Sequence, residues 1–230
     1  MCGRLNVIDD PLLKALSKAL GVSDSKIKKS YDIAPGATLS VIRGAADGRL
    51  VTDATWWLFL DSESLKPNHK YASFNSRSDK LDQPRSLAYK PFRSSRCIIP
   101  ASGFVEGLGD KKTYYHLRPE ASAIAFGGLF KEWLNKDTGE LVYSASIITL
   151  PPHEKLQNIH PKSIPLMLPW QDEQLINMWL DPAFNQVEAF NDLLIPRIRE
   201  GMIVTPIDKP SKRNPVGEEL MLQIAYSGRT

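Results

Sequence analysis

The chain opens Met1-Cys2-Gly3-Arg4, and Cys2 has the widest chemical reach of any residue in it. An initiator Met before a small residue is commonly trimmed. Removal of Met1 leaves Cys2 with a free α-amine and a thiol on adjacent carbons. Unperturbed, these titrate at about 8 and about 8.5, so both are partly available near neutral pH, and the thiolate is the better nucleophile. A 1,2-aminothiol condenses with an aldehyde to an imine, and the thiol then closes a five-membered thiazolidine. The same residue can attack an amide, with its amine as base to its thiol. The plain reading stands beside these: a small residue near a frayed chain end. Gly3 lets a backbone or ligand approach closely. Arg4 sets a fixed positive charge beside the nucleophile, which favours thiolate and attracts an anion.

Other residues with chemical potential are spread along the chain. Asn75-Ser76-Arg77-Ser78-Asp79 ends an apolar stretch abruptly. It reads as a turn, or as a site in which an amide fixes an oxygen and a guanidinium forks a phosphate. Glu106 sits among apolar and glycine residues after the run Arg96-Cys97-Ile98-Ile99-Pro100. A carboxyl in such surroundings has a raised pKa, which suits a proton shuttle; an exposed turn carboxylate is the alternative. His160, ordinarily titrating at about 6.5, reads as structural or as a partner in proton transfer. Cys97 lies in an apolar strand and reads as core. Trp56 and Trp57 cannot both face one way on a strand. They read as two core residues, or as one core residue and one face for stacking a base, and both are kept as DNA-contact candidates. Lys26, Lys28 and Lys29 form a solvated face or touch phosphate.

These residues need elements to hold them. A chain of 230 residues fits one large domain, residues 1–230, and can fold without disulfides or metal. With 42% hydrophobic and 24% charged residues it has the composition of a soluble globular protein. It carries no apolar run of membrane-spanning length and no apolar signal region, so a cytoplasmic location is expected. Two cysteines make no disulfide framework, and the four histidines show no metal-ligand spacing. No metal or cofactor is expected. A net charge of +3 permits a polyanionic partner without demanding one.

Asp10-Pro11 through Leu20-Gly21 predicts a short capped helix. Strands are predicted at Thr38–Arg43, with Gly44 and Gly48 bracketing a hairpin turn, and at Tyr71–Phe74, Arg96–Pro100, Thr113–Leu117, Ile124–Leu129, Val142–Leu150, Ile164–Pro169 and Met202–Pro206. Gly127-Gly128 predicts a bulge or a close backbone approach. Helices are predicted over Gln171–Leu180 and Phe184–Leu194, with Leu175, Met178 and Trp179 on one face of the first.

In this order, Met1-Cys2-Gly3-Arg4, Tyr31-Asp32-Ile33-Ala34-Pro35, Asn75-Ser76-Arg77-Ser78, the Arg96–Phe104 stretch with Glu106, Gly127-Gly128-Leu129, Ile147-Ile148-Thr149 and His160 resemble the SOS-response-associated peptidase (SRAP) family. Its members shield abasic sites in single-stranded DNA. The resemblance implies an α+β fold: one domain with a curved, mostly antiparallel, barrel-like β core, short helices and a positive cleft. It implies that Cys2 forms a thiazolidine with the ring-opened aldehyde of an abasic deoxyribose. Asn75 would orient the Cys2 terminus and the sugar, and Glu106 would be the general acid and base. His160 would bond the sugar oxygen. Arg4, Arg77 and Ser78 would hold DNA, with Trp56 and Trp57. The expected partner is single-stranded DNA containing abasic sites, bound by a monomer that associates with the nucleoid through DNA. AP-lyase activity and autoproteolytic removal of Met1 are further activities the resemblance allows. Three segments depart from the family pattern. Gly107 stands where a Trp is usual. Pro161-Lys162-Ser163-Ile164-Pro165 replaces Asp-Arg-Met-Pro. Trp57-Leu58-Phe59-Leu60 matches Trp-Gly-Leu-Ile-Pro only loosely.

Two other functions compete. One is an N-terminal-nucleophile cysteine peptidase or amidase, although the oxyanion-hole loop and carboxylate site of glutamine amidotransferases are not found. The other is a non-covalent DNA-binding module in which Cys2 is incidental.

Overall fold

The structure, a computed structural model, describes residues 3–223. Cys2, the expected nucleophile, lies outside the described residues. In chain order the first elements are β1 (Arg4–Val7), α1 (Pro11–Ala19), β2 (Ser30–Ile33), β3 (Thr38–Ala45), β4 (Gly48–Thr55), β5 (Asn75–Arg77) and α2 (Tyr89–Ser94). Next come β6 (Arg96–Ala101), β7 (Gly103–Gly107), β8 (Tyr114–Pro119), β9 (Ile124–Leu134) and β10 (Leu141–Leu150). The last are β11 (Ile164–Pro165), α3 (Glu173–Leu180), β12 (Met202–Ile207) and β13 (Leu220–Leu222). The fold is α+β, mostly antiparallel, with few and short helices.

One sheet closes on itself. Strands run in the order β10-β4-β3-β6-β9, and β9 pairs back to β10, giving a five-stranded barrel. Closure removes free edges, and in a barrel this small side chains fill the interior. The other sheet, in the order β13-β12-β8-β7-β1-β2, is open. The two share one core, in which Leu5 of β1, Phe104 of β7 and Phe126 of β9 are fully buried. The Phe104 and Phe126 rings meet edge to face at 5.5 Å. β6 is buried at all six residues, and after Arg96 it reads as a continuous apolar run rather than an alternating one.

Between β6 and β7 the chain crosses from one sheet to the other at a single residue. β6 belongs to the barrel and β7 to the open sheet, and only Ser102 separates them. Ser102 is pinned to the N-terminal strand: its N–H donates to the Asn6 carbonyl at 2.8 Å, and its hydroxyl accepts from the Ile8 N–H at 3.0 Å. The crossing delivers Glu106 next to β1.

Arg96 opens β6 and holds the helices to the barrel. Its Nε donates to the Trp179 carbonyl at 2.8 Å, and Nη1 to those of Phe92 and Arg93 at 2.7 and 2.9 Å. Nη2 reaches the carbonyls of Asp181 and Phe184 at 2.8 and 2.7 Å. Burial pulls this guanidinium down to about 10. It satisfies carbonyls that the ends of α2 and α3 leave unpaired.

Several expectations are corrected. Tyr71–Phe74 is not a strand; the polar segment Asn75–Arg77 is, as β5, parallel to β10 with Asn75 opposite Ile147. Ser76 is buried there, its hydroxyl 2.7 Å from that of Ser146, so a polar segment joins a sheet by bonding internally. Gly44 is a strand residue opposite Arg49, and the turn lies beyond it. Val187–Leu194 is a 3₁₀ segment rather than an α-helix. α3 buries Ile176, Trp179 and Leu180, with Leu175 and Met178 partly buried against the same core. β1 and β13 were not expected. Gly127 and Gly128 sit within β9 at close approaches: a Cβ on Gly127 would lie 2.6 Å from the Leu166 side chain. No helix among the described residues is long and apolar enough to cross a membrane.

Candidate active site

β1 lies antiparallel to β7, with Arg4 opposite Val105 and Leu5 opposite Phe104. On a strand successive side chains point to opposite faces, so Glu106 shares its face with Phe104. β7 is buried on both faces, and Glu106 is 4% exposed. Burial disfavours the carboxylate and lifts its pKa from 4.5 to about 7. The carboxyl therefore sits near half-ionisation at neutral pH.

His160 follows a 3₁₀ turn at Glu154–Leu156, and its own N–H donates to the Leu156 carbonyl at 2.7 Å. Its ring Nδ1 lies 2.7 Å from the Gly107 carbonyl and 3.4 Å from Glu106 Oε2. A carbonyl only accepts, so Nδ1 carries the proton and the lone pair of the neutral ring is on Nε2. The ring is buried, and burial lowers its pKa below the ordinary value, opposed by the hydrogen bond to Gly107. The unperturbed titration expected from the sequence is thus corrected: near pH 7 the imidazole is neutral beside a carboxyl that can hold or release a proton.

Glu106 and His160 border a cavity of about 290 Å³, which Gly3, Arg4, Lys111 and Tyr114 also line. Lys111 and Tyr114 were not singled out in the sequence, because the loop between β7 and β8 carries no motif. Tyr114, which opens β8, had a signal in register, since it pairs with Gly107. A Cβ on Gly107 would lie 2.9 Å from the Tyr114 ring, so the glycine makes room for the tyrosine in the cavity wall. Lys111 sits at φ 62°, in a loop whose backbone N–H groups at Lys112 and Thr113 both donate to Asp110.

Arg4 pairs with Asp32 of β2. The other oxygen of Asp32 lies 3.4 Å from Arg213, whose Nη2 also donates to the Leu5 carbonyl at 3.2 Å. Arg213 is buried, and its guanidinium lies 5.1 Å from the centre of the Tyr31 ring. The ladder Arg4–Asp32–Arg213 fixes β1 to β2 and to the late loop. The basic, Pro-containing segment Lys209–Asn214 is thus partly structural.

β5 and β11 reach the same end of β10: Thr149 pairs with Arg77 on one side and with Pro165 on the other. Asn75, Arg77 and the segment that follows His160 therefore converge on one end of the barrel. Ser78 is half-buried at the start of a 3₁₀ turn. The exposed Arg77 guanidinium is forked by Asp79, with bonds of 2.9 and 2.7 Å. Trp56 and Trp57 do not join the site. Trp56 is fully buried and donates to the Phe74 carbonyl; Trp57 is buried against His69 and Phe74 and donates to the Asn68 carbonyl. Neither offers an open face for a base, because Trp56 is in the core and Trp57 is buried against residues 68–74 of its own loop. Among the described residues no cluster of His, Cys, Asp and Glu could hold a metal ion.

Comparison with known proteins places the chain among relatives of one family. The chain is 27% identical over 226 residues to the abasic site processing protein YoqW of Bacillus subtilis, covering 94% of this chain and 97% of that one. It is 28% identical over 203 residues to YobE of the same organism, also named an abasic site processing protein, covering 85% and 89%. A crystal structure of a Bordetella bronchiseptica protein superposes with a TM-score of 0.68 at 16% identity, covering 90% of this chain and all of that one, a likeness of fold. The profile of the family described as SOS response associated peptidase (SRAP) matches residues 1–211, and the chain belongs to that family.

Proposed function

We propose that this protein processes abasic sites in single-stranded DNA by linking covalently to them through Cys2. The observation that carries the reading is the Glu106–His160 pair. A buried carboxyl with a pKa of about 7 stands 3.4 Å from a neutral imidazole, in a cavity whose wall includes Gly3, the residue next to Cys2 in sequence. The names of YoqW and YobE support the substrate.

An abasic deoxyribose is mostly a closed hemiacetal. Opening it needs a proton on the ring oxygen and removal of the proton from the anomeric hydroxyl. Glu106 near half-ionisation supplies both functions in turn. The Cys2 amine adds to the aldehyde, and protonated Glu106 assists loss of water to give the imine. The Cys2 thiol adds to the imine carbon and its proton passes to nitrogen, closing the thiazolidine. One water is released overall. His160 Nε2 accepts from a sugar hydroxyl while Nδ1 is held by Gly107. Asn75 orients the amino terminus, and Arg4 and Lys111 supply positive charge for the flanking phosphates.

The test is intact mass after mixing the protein with a single-stranded oligonucleotide carrying one abasic site. The expected product is protein lacking Met1, plus DNA, minus one water. A stable adduct on protein that retains Met1 sinks the proposal. So does an adduct of the same stability from Cys2→Ala.

A further inference from the structure

We propose that a concave face formed by Arg43, Lys90 and Lys131 is a second anion site, one that takes a phosphate group. It is a cavity of about 460 Å³, larger than the 290 Å³ cleft beside Glu106. Its walls come from the end of β3 (Arg43), from α2 (Lys90, Ser94) and from β9 (Phe130, Lys131, Glu132). It shares no lining residue with the cleft. Arg43 pairs with Cys97 near the start of β6, whereas Glu106 is nine residues further along the β6–β7 path. At about 3.3 Å per residue the two ends are separated by up to about 30 Å.

The donors are held in place. Arg43 Nε donates to Thr52 Oγ1 at 3.1 Å and Nη2 to the Tyr143 hydroxyl at 3.2 Å. Its guanidinium lies 5.0 Å from the centre of the Tyr143 ring and 5.8 Å from that of Phe130. The Lys131 ammonium is 4.2 Å from the centre of the Trp133 ring and 5.8 Å from that of Phe59. A guanidinium already fixed by two hydrogen bonds loses little freedom when its remaining N–H groups meet an oxyanion.

Among the described residues, none of Arg43, Lys90 and Lys131 forms an ion pair with a carboxylate, and Glu132, which shares the cavity, forms none with them. Burial, and then the positive charge of Lys90, lower the pKa of Lys131. Lys90 and Lys131 repel, and a bound anion relieves that repulsion. A phosphate offers several oxygens to this donor set, and the fork and point charges suit its geometry.

The phosphate can come from the DNA strand bound at the cleft or from a free nucleotide. The experiment uses the whole chain and the pair Lys90→Glu with Lys131→Gln, plus Lys131→Met, which keeps the apolar stem. Thermal unfolding confirms that each is folded. In one arm, single strands of increasing length are bound at fixed salt. If the source is DNA, the wild type gains affinity once a strand reaches the second site. The double variant loses that gain, roughly tenfold, and its salt slope falls by about one to two. In the other arm, ATP and pyrophosphate are titrated calorimetrically, and binding that weakens roughly tenfold in the double variant identifies a free phosphate ligand. Lys131→Met is expected to fall between wild type and double variant in whichever arm responds. If strand-length dependence and nucleotide binding are the same in all three proteins, there is no second site. Crosslinking of a short abasic oligonucleotide reads the cleft alone, so its failure strikes the proposed function and leaves this site standing.

Discussion

Glu106→Gln separates the carboxyl's chemistry from its effect on stability. An exposed glutamate ionises at 4.5, and burial in the folded protein holds Glu106 to about 7. The native state therefore binds this proton more tightly than the unfolded chain does. That stability is fully present below about pH 4.5, is lost as pH rises towards 7, and is gone above it. The loss is about 3 kcal/mol, the free-energy equivalent of the displacement from 4.5 to about 7. Glutamine cannot ionise, so the variant lacks this slope. Urea unfolding of both proteins between pH 4 and pH 9 should show a stability difference that is flat at acid pH. It should then shift in favour of Glu106→Gln by about 3 kcal/mol between pH 4.5 and 8. Single-turnover crosslinking at saturating protein should slow by roughly 10²–10⁴-fold, with DNA affinity little changed. Parallel unfolding profiles would show that Glu106 is not held neutral by its site. A wild-type crosslinking rate at every pH would refute its place in the mechanism, whatever the unfolding data show.

Other perturbations have distinct signatures. Arg77→Ala should cost less than about 1 kcal/mol of stability, because its pair with Asp79 is exposed, yet lower the salt slope of single-strand binding by about one; titrations at several salt concentrations read both. Arg96→Met should destabilise by about 3 kcal/mol or more in urea, since it strips the donors from carbonyls in both α2 and α3. Tyr114→Ala should weaken abasic-strand binding roughly tenfold and abolish quenching of a fluorescent base placed beside the lesion, while Tyr114→Phe keeps both, if its ring stacks on the strand.

The local rules of the chain are legible in its sequence. Asp10 caps α1 by accepting from the Leu13 N–H at 2.7 Å, as the Asp-Pro start implies. β6 announces itself by unbroken apolar residues, and Glu106 by the apolar and glycine residues around it. These are readable because caps, turns and strand burial depend on neighbours in the chain. The ordered motifs also carried the family and, through it, the α+β barrel-like fold. Tertiary structure decided the rest. Arg96 and Arg213 look like any surface cations, and only the packing of remote carbonyls and of Asp32 makes them buried anchors. Asn75–Arg77 reads as a turn until β10 supplies a partner strand for it. One of the two tryptophans could be a stacking face until packing buries both. His160 lies 54 residues from Glu106, and no spacing rule brings them to 3.4 Å. That meeting depends on where one strand leaves the barrel for the second sheet, a choice made by long-range pairing and shared burial.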